Sequence, residues 1–181
     1  FIAALALVIL RVMRPDFRPA WLIAVGSALL AWLMIFFWQL QMPLSFQLPP
    51  WQPAILFANS PGFLVDGLSW PYAISILSLT LAVLLTAVVR DSFSDSFTWA
   101  GVLMLSGLSL LAVTAGNPLT LVMAWAAIDI AELITQLRSV DTPQASERVV
   151  IAFSTRAMGV GLLLWANIVS VNAGARLDFL S

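Results

Sequence analysis

The chain has 181 residues, of which 61% are hydrophobic and only 9% are charged, against about 25% charged residues in an ordinary soluble domain. This composition excludes a soluble globular protein and predicts an integral membrane protein. The net charge of −1 argues against nucleic acid as a partner, because nucleic acid binding needs a basic face. Since Cys and His are both absent, disulfides and the commonest ligands of zinc, haem and iron–sulfur clusters are missing. We therefore expect no metal and no cofactor in this chain.

Five apolar stretches are long enough to cross the hydrocarbon, which takes about 20 residues of helix. They are Trp21–Leu40, Ser69–Val89, Phe97–Gly116, Pro118–Leu137 and Val149–Ser170. A sixth apolar run, Phe1–Leu10, is too short alone and predicts the end of a helix that starts earlier, in a longer chain. The predicted fold is all-α, a polytopic bundle of about six transmembrane helices that forms a single domain over residues 1–181.

The arginines predict the orientation of the bundle. Six of them lie in or beside the connections 11–18, 90–95 and 138–148, namely Arg11, Arg14, Arg18, Arg90, Arg138 and Arg148. The opposite side has only Arg176. Because an excess of arginine marks the cytoplasmic face, we expect those three connections in the cytoplasm and the amino terminus outside. The expected location is the bacterial inner (plasma) membrane.

The longest connection, residues 41–68, is expected outside the membrane. It is rich in proline and aromatic residues, which is typical of an interfacial loop or short hairpin over the bundle. A structural lid is the favoured interpretation. Asp66, just before the third span, is expected to cap that helix, and Asn117 is expected to cap the fifth, with Pro118 in its first turn.

Charged residues within the spans are the candidates for chemistry, because charge in the hydrocarbon is costly and usually functional. Asp129 and Glu132 are three residues apart on the fifth span and share a face. They lie about 13–14 Å and about 9 Å from the level of Arg138 along the helix. Arg156, about 12 Å beyond Arg148 on the sixth span, lies at a similar depth. We expect a buried contact among these three residues, in which Arg156 engages Glu132 or Asp129 and the other carboxylate is left over.

Two interpretations of these three residues remain open from the residues alone. A carboxylate beside an intramembrane arginine can serve as one station of a proton or ion relay. The same group can also lock two helices together, or bind a partner subunit, without transporting anything. Other polar residues of the spans, such as Ser106, Ser109 and Thr114, are expected to link neighbouring helices.

Several motifs resemble one protein family. The run FLVDGLSW at Phe63–Trp70 resembles the VDGLS signature before the third helix of antiporter-like subunits of respiratory complex I. These are the large L-type chains related to the Mrp cation/proton antiporters. NPLTLVMAW at Asn117–Trp125 resembles the start of that family's fifth helix, AFSTRAMGVGLLL at Ala152–Leu164 its sixth, and ARLDFLS at Ala175–Ser181 the segment after it.

The chain departs from the family at two acidic positions. The family's fifth helix has a glutamate of the proton channel directly after the tryptophan, where this chain has Ala126. The sixth-helix aspartate after the Thr-Arg pair is also missing, although Arg156 matches. Asp129, one turn beyond Ala126 on nearly the same face, is a candidate for the displaced carboxylate. The family's channel lysines belong to later helices, outside these residues.

The resemblance implies an antiporter-like membrane subunit that takes part in proton translocation within a larger complex like NADH:quinone oxidoreductase. Asp129, Glu132 and Arg156 would form the relay, no reaction would be catalysed in this chain, and protons or monovalent cations would be transported. The implied partners are other integral membrane subunits and lipid. The alternative is a degenerate member acting as a structural or assembly subunit, for example in a bicarbonate-uptake or photosynthetic or respiratory assembly. The loss of the two acidic residues motivates that alternative.

Overall fold

The structure, a computed structural model, describes residues 1–14, 19–41, 43–49, 60–90, 95–140 and 142–174. These residues form six α-helices and two short strands. The helices are α1 (Ile2–Met13), α2 (Ala20–Trp38, followed by a 3₁₀ turn at Gln39–Gln41), α3 (Ser69–Arg90), α4 (Ser96–Val113), α5 (Pro118–Ser139) and α6 (Pro143–Asn172), and the strands are β1 (Leu44–Gln47) and β2 (Gly62–Val65). Five helices, α2 to α6, are long and apolar enough to cross a membrane. The predicted all-α membrane bundle is confirmed.

The sixth helix is longer than the sequence predicted. It begins at Pro143 rather than near Val149. Proline fits the first turn of a helix, and the polar residues between Pro143 and Val149 continue the helix. The expected connection 138–148 is therefore mostly helix, with Arg138 in α5 and Arg148 in α6. At 30 residues, α6 is about 45 Å long and exceeds the roughly 30 Å of the hydrocarbon.

Part of the predicted cytoplasmic and external connections lies outside the described residues. This holds for residues 15–18, with Arg18, and for 50–59, 91–94 and 175–181, with Arg176. Arg11 lies in the last turn of α1 and Arg90 in the last turn of α3. The side of the membrane that each connection faces stays a prediction.

Helix α4 lies at the centre of the packing, in contact with α1, α2, α3 and α5, while α5 lies between α4 and α6. Alanines allow the close approach around α2, where Ala20, Ala24 and Ala28 recur every four residues and are all buried. Leu7 of α1 and Leu84 of α3 are fully buried in the same cluster. Small residues suit this role in lipid, because helix association there depends on close packing rather than on hydrophobic burial.

Polar side chains join three of the helices. Thr80 of α3 donates to Ser106 of α4 over 2.9 Å, and the indole of Trp32 donates to Ser78 over 2.9 Å. Ser106 therefore links helices as expected. Ser109 and Thr114 do not, since each donates to a carbonyl of its own helix, the usual alternative for a hydroxyl in a helix.

The two strands form an antiparallel hairpin that lies against the turn between α4 and α5. Leu44 pairs with Val65 at one end of the hairpin. On its other edge, β2 bonds to the turn, where Leu64 N–H donates to Thr114 O over 2.7 Å and Gly116 N–H donates to Gly62 O over 2.8 Å. A Cβ on Gly116 would approach that Gly62 oxygen to 3.3 Å, so glycine allows this contact. The hairpin thus covers the end of the bundle where α3 and α5 begin.

Candidate functional site

The start of α5 is held by a network of neutral hydrogen bonds. Asn117 is the extended N-cap residue, and its Oδ1 accepts from Thr120 N–H over 2.9 Å and from Thr120 Oγ1–H over 2.7 Å. Its Nδ2 donates to Ser60 O over 2.9 Å, and Gly62 N–H donates to Thr120 Oγ1 over 2.9 Å. Pro118 takes the first helical position, where its missing N–H costs nothing. This network fixes the beginning of α5 against the hairpin.

The middle of α5 carries the charged cluster, defined here as Asp129, Glu132 and Arg156. Arg156 of α6 places its Nη1 3.4 Å from Asp129 Oδ1, and the same nitrogen donates a short hydrogen bond to Glu132 Oε2. The structure therefore brings together all three residues that the sequence singled out. The expectation that one carboxylate is left over is wrong, since the i, i+3 spacing of the two acids puts both within reach of one guanidinium.

A fourth side chain extends the cluster along α5. Gln136 Nε2 donates to Glu132 Oε1 over 2.5 Å, so both oxygens of Glu132 accept a hydrogen bond. Sequence reasoning missed Gln136. The signal was present, because Gln136 is four residues after Glu132 and side chains at that spacing are neighbours on a helix.

The cluster is more open than expected. The side chains of Asp129 and Glu132 are 13% and 29% exposed, and that of Arg156 is 41% exposed. Arg156 is exposed because, among the described elements, only α5 packs extensively against α6. A lipid-exposed guanidinium at this depth is costly.

The electrostatics of the cluster come from few groups. Helix α4, which packs on the other side of α5, has no charged residue between Ser96 and Val113. The remaining cation of α5, Arg138, lies over the ring of Phe97 at 3.6 Å from its centroid. With both acids ionised, the cluster has two negative charges and one positive charge. One proton would make it neutral.

Asp66 lies apart from the charged cluster, at the start of α3. Its Oδ1 accepts from Ser69 N–H over 2.7 Å and from Leu68 N–H over 3.0 Å, while Ser69 Oγ accepts from Asp66 N–H over 2.9 Å. The backbone hydrogen bond from Ser69 holds the pKa of the Asp66 carboxyl below its ordinary value, against the opposing effect of partial burial. This geometry is that of a helix cap.

A cavity of about 570 Å³ lies between α1, α2, α3, α4 and the hairpin. Its hydroxyl-bearing lining residues are Ser27, Thr80, Ser106 and Thr114, and each hydroxyl forms a hydrogen bond with another protein group. No charged residue lines it. Within the described ranges, no cluster of three or more acidic, His or Cys side chains could hold a metal ion. The charged cluster is therefore the candidate functional site.

Comparisons with known proteins bear on the fold. No protein-family model matches the sequence, and no curated protein matches it. Among solved structures, the chain is similar to one chain of the membrane-bound sulfane sulfur reductase, an archaeal respiratory membrane complex, with a TM-score of 0.70 and 17% sequence identity. The match covers 98% of this chain and 28% of that one. The chain therefore shares the fold of part of that much longer protein.

Proposed function

We propose that this chain is a membrane subunit of a bioenergetic complex and takes part in proton translocation through Asp129, Glu132 and Arg156. The likeness in fold to a chain of a respiratory membrane complex supports the first part. The motifs that resemble antiporter-like subunits support the second. In this proposal other integral membrane subunits are the partners, and no reaction is catalysed in this chain.

The observation that carries the proposal is one guanidinium nitrogen that contacts two carboxylates in the middle of a membrane-spanning helix. Asp129 is about 16 Å from Pro118 and about 15 Å from Ser139 along α5, so it is far from both ends. Because two acids share one cation, the group can take up one proton and become neutral. Its guanidinium then stays with whichever carboxylate is ionised. Such a group can accept a proton from one side and release it to the other.

The orientation follows the arginine distribution. We place the amino terminus and the hairpin outside, and the connections 11–18, 90–95 and 138–148 in the cytoplasm of a bacterium, by the positive-inside rule. Asp66 and Asn117 then begin their helices on the outer side. In this arrangement, the capping groups have structural roles and the charged cluster alone handles protons.

The proposal is tested by Asp129→Asn in the complex that contains the full-length chain, reconstituted into lipid vesicles. Proton flux driven by a pH gradient or by the complex's own reaction should be abolished, because asparagine cannot take up the proton. Asp66→Asn is the matched control, since asparagine also caps helices and Asp66 lies outside the cluster. Flux of Asp129→Asn at the wild-type level would overturn the proposal.

Two observations favour a second function, that of a structural or assembly subunit. Ala126 replaces the acidic residue expected from the family, and Arg156 is exposed on a face of α6, where a partner subunit can bind it. In that case Asp129→Asn should reduce the recovery of the intact complex, and any loss of flux should match the loss of complex.

A further inference from the structure

The two carboxylates of the charged cluster have unequal surroundings, although they are one turn apart on the same helix. Glu132 accepts a hydrogen bond from Arg156 on Oε2 and a hydrogen bond from Gln136 on Oε1 over 2.5 Å. Asp129 has one polar contact within the described part of the chain, the Nη1 of Arg156 at 3.4 Å. Glu132 therefore has two donors, whereas Asp129 has only the 3.4 Å contact to the same nitrogen of Arg156.

This difference in hydrogen bonding points to different roles for the two acids. Donors directed at both oxygens of a carboxylate stabilise its ionised form. The donors around Glu132 therefore favour it as the partner of Arg156, whereas Asp129 lacks a second donor among the described residues. Asp129 is also the less exposed of the two, at 13% against 29%, which further disfavours a charge without close partners.

We propose that Gln136 is a positioning residue that holds Glu132 against Arg156, so that Asp129 is the proton-exchanging group. This inference rests on the proposed function and assigns the roles within the same site. Gln136 never touches the transported proton; it acts through Glu132. The charged groups that face the cluster are Arg156 on α6 and the two acids themselves on α5, since α4 carries no charge.

The assignment can be tested without measuring flux. Dicyclohexylcarbodiimide, an apolar reagent, attaches to protonated carboxyls within membranes. The intact complex with the full-length chain is treated with it over a range of pH, and peptide mass spectrometry measures how the adduct divides between Asp129 and Glu132. In the wild type the adduct should lie mainly on Asp129.

Gln136→Met removes the amide donor and keeps a side chain of similar length and flexibility. It should shift the ratio of labelled Asp129 to labelled Glu132 about tenfold toward Glu132, the size expected for one hydrogen bond to a charged group. Gln144→Met, the same change on the exposed first turns of α6, is the control and should leave the ratio unchanged. If Gln136→Met prevents recovery of the complex, Gln136→Asn provides the same test, because its shorter side chain does not reach Glu132.

Glu132→Gln provides an independent test. With this side chain neutral, Arg156 has Asp129 as its only anionic partner in the cluster, so labelling of Asp129 should fall. Equal labelling of both acids in the wild type, or an unchanged ratio in Gln136→Met, would overturn the inference. The flux experiment tests the proposed function separately. If Asp129→Asn keeps full proton flux while the labelling pattern is as expected, the proposed proton translocation is wrong. The assignment of Asp129 as the more readily labelled acid then still holds.

Discussion

The beginning and the middle of α5 accommodate polar side chains in different ways. At its beginning, Asn117 and Thr120 are buried, neutral and bonded to each other and to the hairpin. In its middle, Asp129 and Glu132 are ionisable, partly exposed and share one cation with α6. A neutral network in which the polar groups satisfy each other favours one arrangement and so stabilises the fold. A cluster with two acids and one cation has more than one way to distribute charge, which is what a relay needs.

The largest effect on stability is expected from Asn117→Ala, at the beginning of α5. This change removes the helix cap and leaves Thr120 and Ser60 without their partner, so the free energy of unfolding should fall by about 2–3 kcal/mol. Thermal unfolding of the purified chain in detergent measures the loss. Asn172→Ala, at the exposed end of α6, is the control and should have little effect. Similar stabilities of Asn117→Ala and Asn172→Ala would mean that the network at the beginning of α5 contributes little to the stability of the fold.

A smaller loss is expected from Arg156→Met in the charged cluster. The cost should be about 1–2 kcal/mol, between the near-zero value of an exposed ion pair and the 3–5 kcal/mol of a buried one, because the side chain is 41% exposed. The same unfolding experiment applies, with Arg148→Met on the exposed surface of α6 as the control. A larger loss for Arg156→Met than for Asn117→Ala would show that the cluster, rather than the neutral network, dominates the stability of α5.

The smallest effect concerns pH and Asp66. Because the folded-state pKa of Asp66 lies below its ordinary value, its ionised form stabilises the folded chain at neutral pH. That contribution is fully present above the unfolded-state pKa of about 3.9 and is lost as the pH falls through the lower, folded-state pKa. The unfolding temperature of the wild type should therefore fall more steeply below about pH 4 than that of Asp66→Asn. Identical pH profiles would contradict this role of the carboxylate.

Local sequence predicted most of the helices. The starts of α3 and α5 were predicted at Ser69 and Pro118, and the structure has them there, because long apolar runs and capping residues act within a few residues of chain. The start of α6 was predicted at Val149, six residues after its actual start at Pro143. The residues between them are polar, so the apolar run alone did not indicate that they are helical. An interfacial loop or a short hairpin was expected in residues 41–68. The attachment of the hairpin to Thr120 was not expected, because Gly62 and Thr120 are 58 residues apart.

What the sequence determined by itself is the membrane bundle and the positions of the charged residues along their helices. Both follow from the length of apolar runs and the fixed rise of a helix, which are local properties of the chain. Only the tertiary structure decided that Arg156 contacts both acids, that Gln136 completes the hydrogen bonds of Glu132, and that β2 lies against the start of α5. These contacts depend on how each helix is rotated about its axis against its neighbours, and that rotation is set by the packing of the whole bundle.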